Sequence, residues 1–99
     1  MEGTGATVID AMELERWLVE RVAREVGVDA DRIDPQTPFA GLGLDSATAV
    51  QLTGELEELM AVRLDPTLVF EYPTIRRLAE HLEAVAREGR RRGREEDAR

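Results

Sequence analysis

The chain has 99 residues, the length of one domain, and with 42% hydrophobic residues it can bury a small core. It has no cysteine, no lysine and one histidine, which excludes disulfides, a thiolate nucleophile, a lysine Schiff base and a multi-histidine metal cluster. The net charge is −8, and residues 1–86 carry −10 because residues 87–99 hold six arginines against four acids. This charge predicts partners with basic surfaces and excludes nucleic acid, whose phosphates it would repel.

The chain carries no targeting or membrane segment that the sequence can identify. No apolar run is long enough to span a membrane, and the first residues lack the basic and apolar regions of a signal peptide. We therefore expect a cytoplasmic protein without a membrane partner, monomeric as an isolated domain. Residues 1–9 are small and glycine-bearing, and they are predicted to be a flexible leader.

The first helix is predicted to begin after Asp10 and to end at Gly27. Asp10 and Glu13 have the spacing of a capping box, and a glycine is the usual residue just past a helix C-terminus. Apolar residues recur at helical spacing between them, namely Leu14, Trp17, Leu18, Val22 and Val26.

A long ordered loop is predicted from Val28 to Asp45. The stretch "VDADRIDPQTPFAGLGLD" is rich in turn-forming residues, and four spaced apolar side chains can anchor it to the core. Loops of this length are uncommon in compact domains unless they have a function. The anchoring residues are Ile33, Phe39, Leu42 and Leu44.

The second helix is predicted to run from Ser46 to Met60. Its glutamates at 55, 57 and 58 are expected to face solvent, and Gly54 lies inside the helix at a cost of about 1 kcal/mol relative to alanine. The residues expected to be buried are Val50, Leu52, Leu56, Leu59 and Met60.

Two further helices follow, one short and one long. Asp65 is expected to cap the short helix with Pro66 at its first position, and Pro73 ends it. Thr74 is expected to cap a last helix over residues 75–88, whose inward residues are Ile75, Leu78, Leu82 and Val85. Residues 88–99 are predicted to be a disordered charged tail or linker. Aromatic side chains expected to support the loop and the short helix from the core are Phe39, Phe70 and Tyr72.

These elements predict an all-α fold, a small bundle of three main helices and one short one. Within it, the stretch "GLGLDSATAVQL" places an acid and a serine at the start of the second helix, where either residue type can cap it. A catalytic serine would need a base within hydrogen-bond reach, and His81 is 35 residues away on another helix. The nucleophile-elbow and phosphate-loop patterns are also missing. We therefore predict no catalytic residue and no metal site.

Residues 38–82 resemble an acyl carrier protein of the polyketide synthase type. The matching pieces are "GLGLDS", then "AVQL", then "RLDPTLVFEYPTIRRLAEHL", in the family's order and spacing. The resemblance implies a carrier domain over residues 10–87, in which Ser46 receives 4′-phosphopantetheine from coenzyme A and Asp45 assists the modification. A helix N-terminus suits that role because its dipole favours a phosphodiester. Asp45 can cap the helix while Ser46 is the acceptor.

The resemblance also implies partners and a docking surface on the second helix. The expected partners are a phosphopantetheinyl transferase, a ketosynthase, an acyltransferase or acyl-AMP ligase, and other synthase domains. Ala47 departs from the leucine or methionine common in the family, and "LTGELEEL" resembles carriers beside fatty acyl-AMP ligases or in starter and hybrid modules. The predicted docking residues are Asp45, Ala47, Gln51, Glu55, Glu57 and Glu58.

The sequence thus predicts a carrier without catalysis of its own. It would hold acyl or polyketide intermediates as thioesters on the arm at Ser46 and shuttle them between enzymes of a polyketide or hybrid pathway. Two alternatives remain open, a peptidyl or aryl carrier of the nonribosomal type and an unmodified carrier-like module that only docks other proteins.

Overall fold

The computed structural model describes the backbone of residues 10–97 and the side chains of residues 10–89. The predicted leader, residues 1–9, lies outside this range. Within it the chain forms four α-helices and no strand, which confirms the all-α prediction. The helices are α1 (Ala11–Val26), α2 (Ser46–Met60), α3 (Leu68–Glu71) and α4 (Ile75–Asp97). In the part of the chain described, no helix has the length and apolar character needed to cross a membrane.

Helix α1 begins and ends where its capping residues predict. The Glu13 amide donates to Asp10 Oδ1 at 2.8 Å, and the Asp10 amide donates back to Glu13 Oε1 at 3.4 Å, which completes the capping box. At the other end Gly27 has φ +79°, the left-handed conformation that favours glycine. The N-terminus of α1 lies beside α4, where the Ala11 amide donates to Glu83 Oε2 at 3.1 Å.

The core lies between α1, α2 and α4, and α3 closes one side of it. Burial of these apolar side chains is the main force that stabilises the bundle. Seven side chains have less than 2% of their surface exposed: Leu14, Leu18, Val22, Leu56, Ile75, Leu78 and Leu82.

The segment between α1 and α2 is ordered, as predicted. Ile33 and Phe39 are buried, and Leu42 and Leu44 are half-buried against the same core. Two short 3₁₀ turns, Ala30–Arg32 and Phe39–Leu42, shape the segment. Its backbone is also tied to the start of α4, because the Phe39 amide donates to the Pro73 carbonyl at 2.8 Å. This loop therefore gives α2 a fixed starting point.

Helix α2 is rotated relative to the sequence prediction. Its buried residues are Ala49, Leu52, Thr53 and Leu56, an i, i+3, i+4, i+7 pattern along one face. The predictions that Val50 and Leu59 are buried are wrong, since they are 49% and 40% exposed. Alanine and threonine can fill the interior here because the Thr53 hydroxyl donates to the Ala49 carbonyl at 3.0 Å.

The short helix α3 also differs from the prediction. It begins at Leu68 rather than at Pro66, because Asp65 Oδ1 accepts hydrogen bonds from the Thr67 amide and hydroxyl and forms a turn first. A single helical turn can direct only part of its surface inward, and Leu68 and Val69 occupy that part. Phe70, expected in the core, is 60% exposed.

Helix α4 begins as predicted and ends later than predicted. The Arg77 amide donates to Thr74 Oγ1 at 3.1 Å, so Thr74 caps the helix. The helix continues to Asp97, so the expectation of disorder from residue 88 is wrong for the backbone of residues 88–97. Arginine and glutamate, which make up most of this stretch, are good helix formers and outweigh the two glycines. Residues 98 and 99 lie outside the described range.

Candidate functional site

Ser46 is the first residue of α2 and is exposed. Asp45 precedes it as the helix cap, with extended backbone and Oδ1 accepting the Thr48 amide at 2.8 Å. The expected division of roles at this position is therefore confirmed, since the acid caps the helix and the serine hydroxyl is left facing solvent. Gly43 has φ +90°, which lets the loop turn just before α2. Ser46 is also the only serine of the chain.

The electrostatic setting of Ser46 combines a negative carboxylate with the positive end of a helix. Hydrogen bonds from Thr48 lower the pKa of Asp45, so this carboxylate stays ionised beside the serine. The first amides of α2 lack intrahelical acceptors, and the helix dipole adds partial positive charge. A phosphodiester on Ser46 would lie in this field, so these residues fit a covalently attached phosphopantetheine.

A groove of about 170 Å³ lies beside Ser46, between the loop, α2 and α3. Its walls are mainly apolar, and Ser46 and Asp45 contribute its polar edge. Phe70 stands in this wall although most of its ring is exposed. The other lining residues are Pro38, Phe39, Ala40, Leu44, Ala49, Val69 and Pro73.

Glu55, predicted to dock partners, is engaged inside the protein. Arg21 of α1 donates to both of its carboxylate oxygens, from Nε at 2.6 Å and from Nη2 at 3.0 Å. These hydrogen bonds lower the pKa of Glu55 and raise the pKa of Arg21. Glu55 is 32% exposed and Arg21 is 14% exposed, so the pair joins α1 to α2 at the edge of the core. The expectation that Glu55 faces solvent freely is wrong.

Glu57 is engaged in a similar way at the far end of α2. Its Oε2 accepts the Leu64 amide at 2.7 Å, and the side chain is half-buried rather than facing solvent as predicted. The other predicted docking residues of α2 are exposed: Ala47, Gln51 and Glu58. They lie along one side of the helix, because their spacings are four and seven residues.

His81 belongs to a different part of the molecule. Its ring stacks on Tyr72 with centroids 4.1 Å apart, and it lines a groove formed with Val62 and Val85. It does not line the groove at Ser46, so the structure does not support a serine–histidine pair. Among the described residues, no three His, Asp or Glu side chains are grouped so that they could hold a metal ion.

The structure also shows features of the site that the sequence interpretation missed. The exposure of Val50 and Phe70 on either side of Ser46 was not predicted, because both residues are apolar and were expected inside. Nor was the pairing of Arg21 with Glu55, since 34 residues separate them in the chain. No pattern in the sequence marks either feature, because each depends on how α2 is rotated against α1 and α3.

A small helical bundle with an exposed serine at the start of its second helix has the form of a carrier protein. The family model described as "phosphopantetheine attachment site" matches residues 16–82. The chain belongs to this family, whose members carry 4′-phosphopantetheine and are generally not catalytic.

Solved structures and curated relatives agree with this membership. A free-standing peptidyl carrier protein from Acinetobacter baumannii is 40% identical with a TM-score of 0.72, over 76% of this chain and 94% of that one. An acyl carrier protein from Anabaena is 33% identical with a TM-score of 0.73, over 85% and 99%.

Two of the curated relatives are polyketide synthase proteins. The phenolphthiocerol/phthiocerol polyketide synthase of Mycobacterium tuberculosis has one that is 39% identical over 73% of this chain. Erythronolide synthase EryA3 of Saccharopolyspora erythraea is 37% identical over 83%. The match spans only 4% and 3% of these two relatives, so the chain is similar to a small part of each.

Proposed function

We propose that this chain is an acyl carrier domain of a polyketide pathway, with Ser46 as its attachment point. One observation supports this above the others: the only serine of the chain is exposed at the N-terminus of α2, beside an ionised cap. The chain's similarity to parts of polyketide synthases supports the choice of pathway.

Ser46 acts as the nucleophile when the domain is loaded. Its Oγ forms a bond to the phosphorus of coenzyme A that carries the pantetheine, the pyrophosphate bond breaks, and adenosine 3′,5′-bisphosphate leaves. The hydroxyl proton passes to a base of the transferase. When bound, the arm supplies a thiol that holds an acyl group as a thioester. The chain itself provides a rigid support, because the capped helix and the anchored loop fix the position of Ser46.

The proposed partners are the transferase and the synthase domains that act on the tethered group, namely a ketosynthase and an acyltransferase or acyl-AMP ligase. Asp45 and the exposed residues of α2 would lie against them. The domain itself performs no catalysis, and a cytoplasmic location is part of the proposal.

Intact mass spectrometry tests the attachment point. The apo protein is incubated with coenzyme A, Mg²⁺ and a broad-specificity phosphopantetheinyl transferase, together with Ser46→Ala and, as a matched control on the same helix, Thr48→Ala. We expect one phosphopantetheine on the parent and on Thr48→Ala, and none on Ser46→Ala. An unmodified parent that is folded, with a transferase active on a control carrier, would favour the docking module instead.

The role of Asp45 can be separated from its role as a cap. Asn also caps helices, so Asp45→Asn keeps the hydrogen bond to Thr48 while it removes the charge. We expect Asp45→Asn to be as stable as the parent but to be modified more slowly. Equal rates for the two proteins would limit Asp45 to capping.

A peptidyl carrier is the second candidate function, because the Acinetobacter structure of that kind is 40% identical. The pantetheinylated protein can be offered in parallel to a malonyl-specific acyltransferase and to an amino-acid adenylation domain. Loading by the acyltransferase alone supports the polyketide proposal, and loading by the adenylation domain alone supports the peptidyl carrier.

A further inference from the structure

The surface around Ser46 is apolar rather than acidic. Of the five large hydrophobic side chains exposed among the described residues, Val50 and Phe70 lie next to Ser46. Val50 is one turn further along α2 on the same side, and Phe70 lines the groove that contains Ser46. Neither side chain completes the core, which already closes without them.

The acids predicted to dock partners lie elsewhere or are engaged. Glu55 pairs with Arg21, and Glu57 holds the Leu64 amide. Glu58 is exposed, but it lies twelve residues after Ser46, about 18 Å along the helix axis. The exposed positions of the first two turns of α2 are therefore neutral.

Gly54 provides a separate indication of close approach. It lies within α2, where glycine weakens the helix relative to alanine. A Cβ at this position would meet no atom within 4 Å, so nothing inside the protein requires a glycine. Gly54 is four residues after Val50, hence on the same side of the helix, where a bare backbone lets another surface come close.

We propose that the transferase acting on Ser46 docks on an apolar face formed by Ala47, Val50, Gly54 and Phe70. This inference rests on the proposed function, since an enzyme that brings coenzyme A to Ser46 Oγ must cover the neighbouring residues. The complementary enzyme surface is apolar at its centre. It is basic only at its margin, where the exposed carboxylates Asp45 and Glu71 lie. Burial of apolar surface, rather than ion pairing, then supplies most of the affinity.

Steady-state kinetics of pantetheine transfer test this face. Val50→Ser and Phe70→Ser replace exposed side chains, so the fold is expected to remain, which circular dichroism verifies. Each is expected to lower kcat/KM by about fivefold or more, mainly through KM; fivefold corresponds to about 1 kcal/mol of binding. Leu59→Ser is the matched control, because Leu59 is a similarly exposed apolar residue of α2 outside the face.

Gly54→Ala separates docking from folding. An added methyl group raises helix stability, so we expect a higher Tm together with a lower kcat/KM. A glycine with only a structural role would give a higher Tm and an unchanged kcat/KM, which would contradict the proposal.

Salt dependence and end points separate the remaining outcomes. We expect kcat/KM of the parent to change by less than about twofold between about 50 and 300 mM NaCl, because apolar contacts are not screened. A steep fall with salt, or a larger loss from Glu58→Gln than from Val50→Ser, would overturn the apolar face in favour of an acidic one. Variants that transfer normally but change the oligomeric state would assign the face to a second copy of the chain. All variants should be fully modified with excess transferase, whereas no modification of the parent would refute the proposed function instead.

Discussion

The ion pair between Arg21 and Glu55 predicts that a residue expected to dock partners instead stabilises the fold. Glu55→Gln removes one charge and leaves a side chain of nearly the same shape. Exposed ion pairs contribute about 0.2–1 kcal/mol, and hydrogen bonds to charged groups in less exposed settings contribute about 1.5–3 kcal/mol. With two hydrogen bonds and side chains 14% and 32% exposed, the pair lies between these cases, at about 1.5 kcal/mol.

Urea unfolding monitored by the fluorescence of Trp17, the only tryptophan, measures this contribution. A loss of about 1.5 kcal/mol corresponds to a Tm lower by about 6–12 °C in a domain of this size. Glu58→Gln is the matched control, because it removes the same charge from an exposed position of the same helix. Its stability is expected to stay within about 0.5 kcal/mol of the parent.

The pH dependence of the difference provides an independent check. The pKa of Glu55 in the folded state is lowered from its ordinary value of 4.5, mainly by hydrogen bonding from Arg21. Its stabilisation is therefore complete above pH 4.5 and is lost as the pH falls through the lowered folded-state pKa. The gap between the parent and Glu55→Gln should close over that range. Equal stabilities at pH 7, or a gap that persists in acid, would refute this account of the ion pair.

Three further substitutions test other parts of the fold by the same unfolding assay. Asp10→Ala removes the acceptor of the α1 capping box and should lower stability by about 1 kcal/mol; no change would mean that the cap is not maintained in solution. Ala61→Gly relieves a left-handed residue, with φ +56°, at the end of α2 and should raise stability by about 1 kcal/mol; a loss would contradict that conformation. Leu78→Ala empties a fully buried position and should cost about 2–5 kcal/mol, a large share of the stability of a small domain; a cost below about 1 kcal/mol would place Leu78 outside the core.

Local patterns in the sequence were sufficient to predict most of the helices and the position of Ser46. Capping depends on residues three apart, so Asp10 with Glu13, Asp45 before α2 and Thr74 before α4 could all be predicted from neighbours in the chain. The order of the loop could be predicted for a similar reason, since its spaced apolar side chains have no other place to be buried.

The rotation of α2, by contrast, was decided only by the tertiary structure. Sequence patterns assign Val50 and Leu59 to the core because they are apolar, yet Ala49 and Thr53 occupy it. Small residues let α2 approach its neighbours closely, and the pairing of Glu55 with Arg21 fixes the same orientation from a residue 34 positions away. That orientation leaves Val50 exposed beside Ser46 and engages the acids that were expected to dock. The sequence by itself thus determined where a group can be attached, and packing between distant helices decided which surface surrounds it.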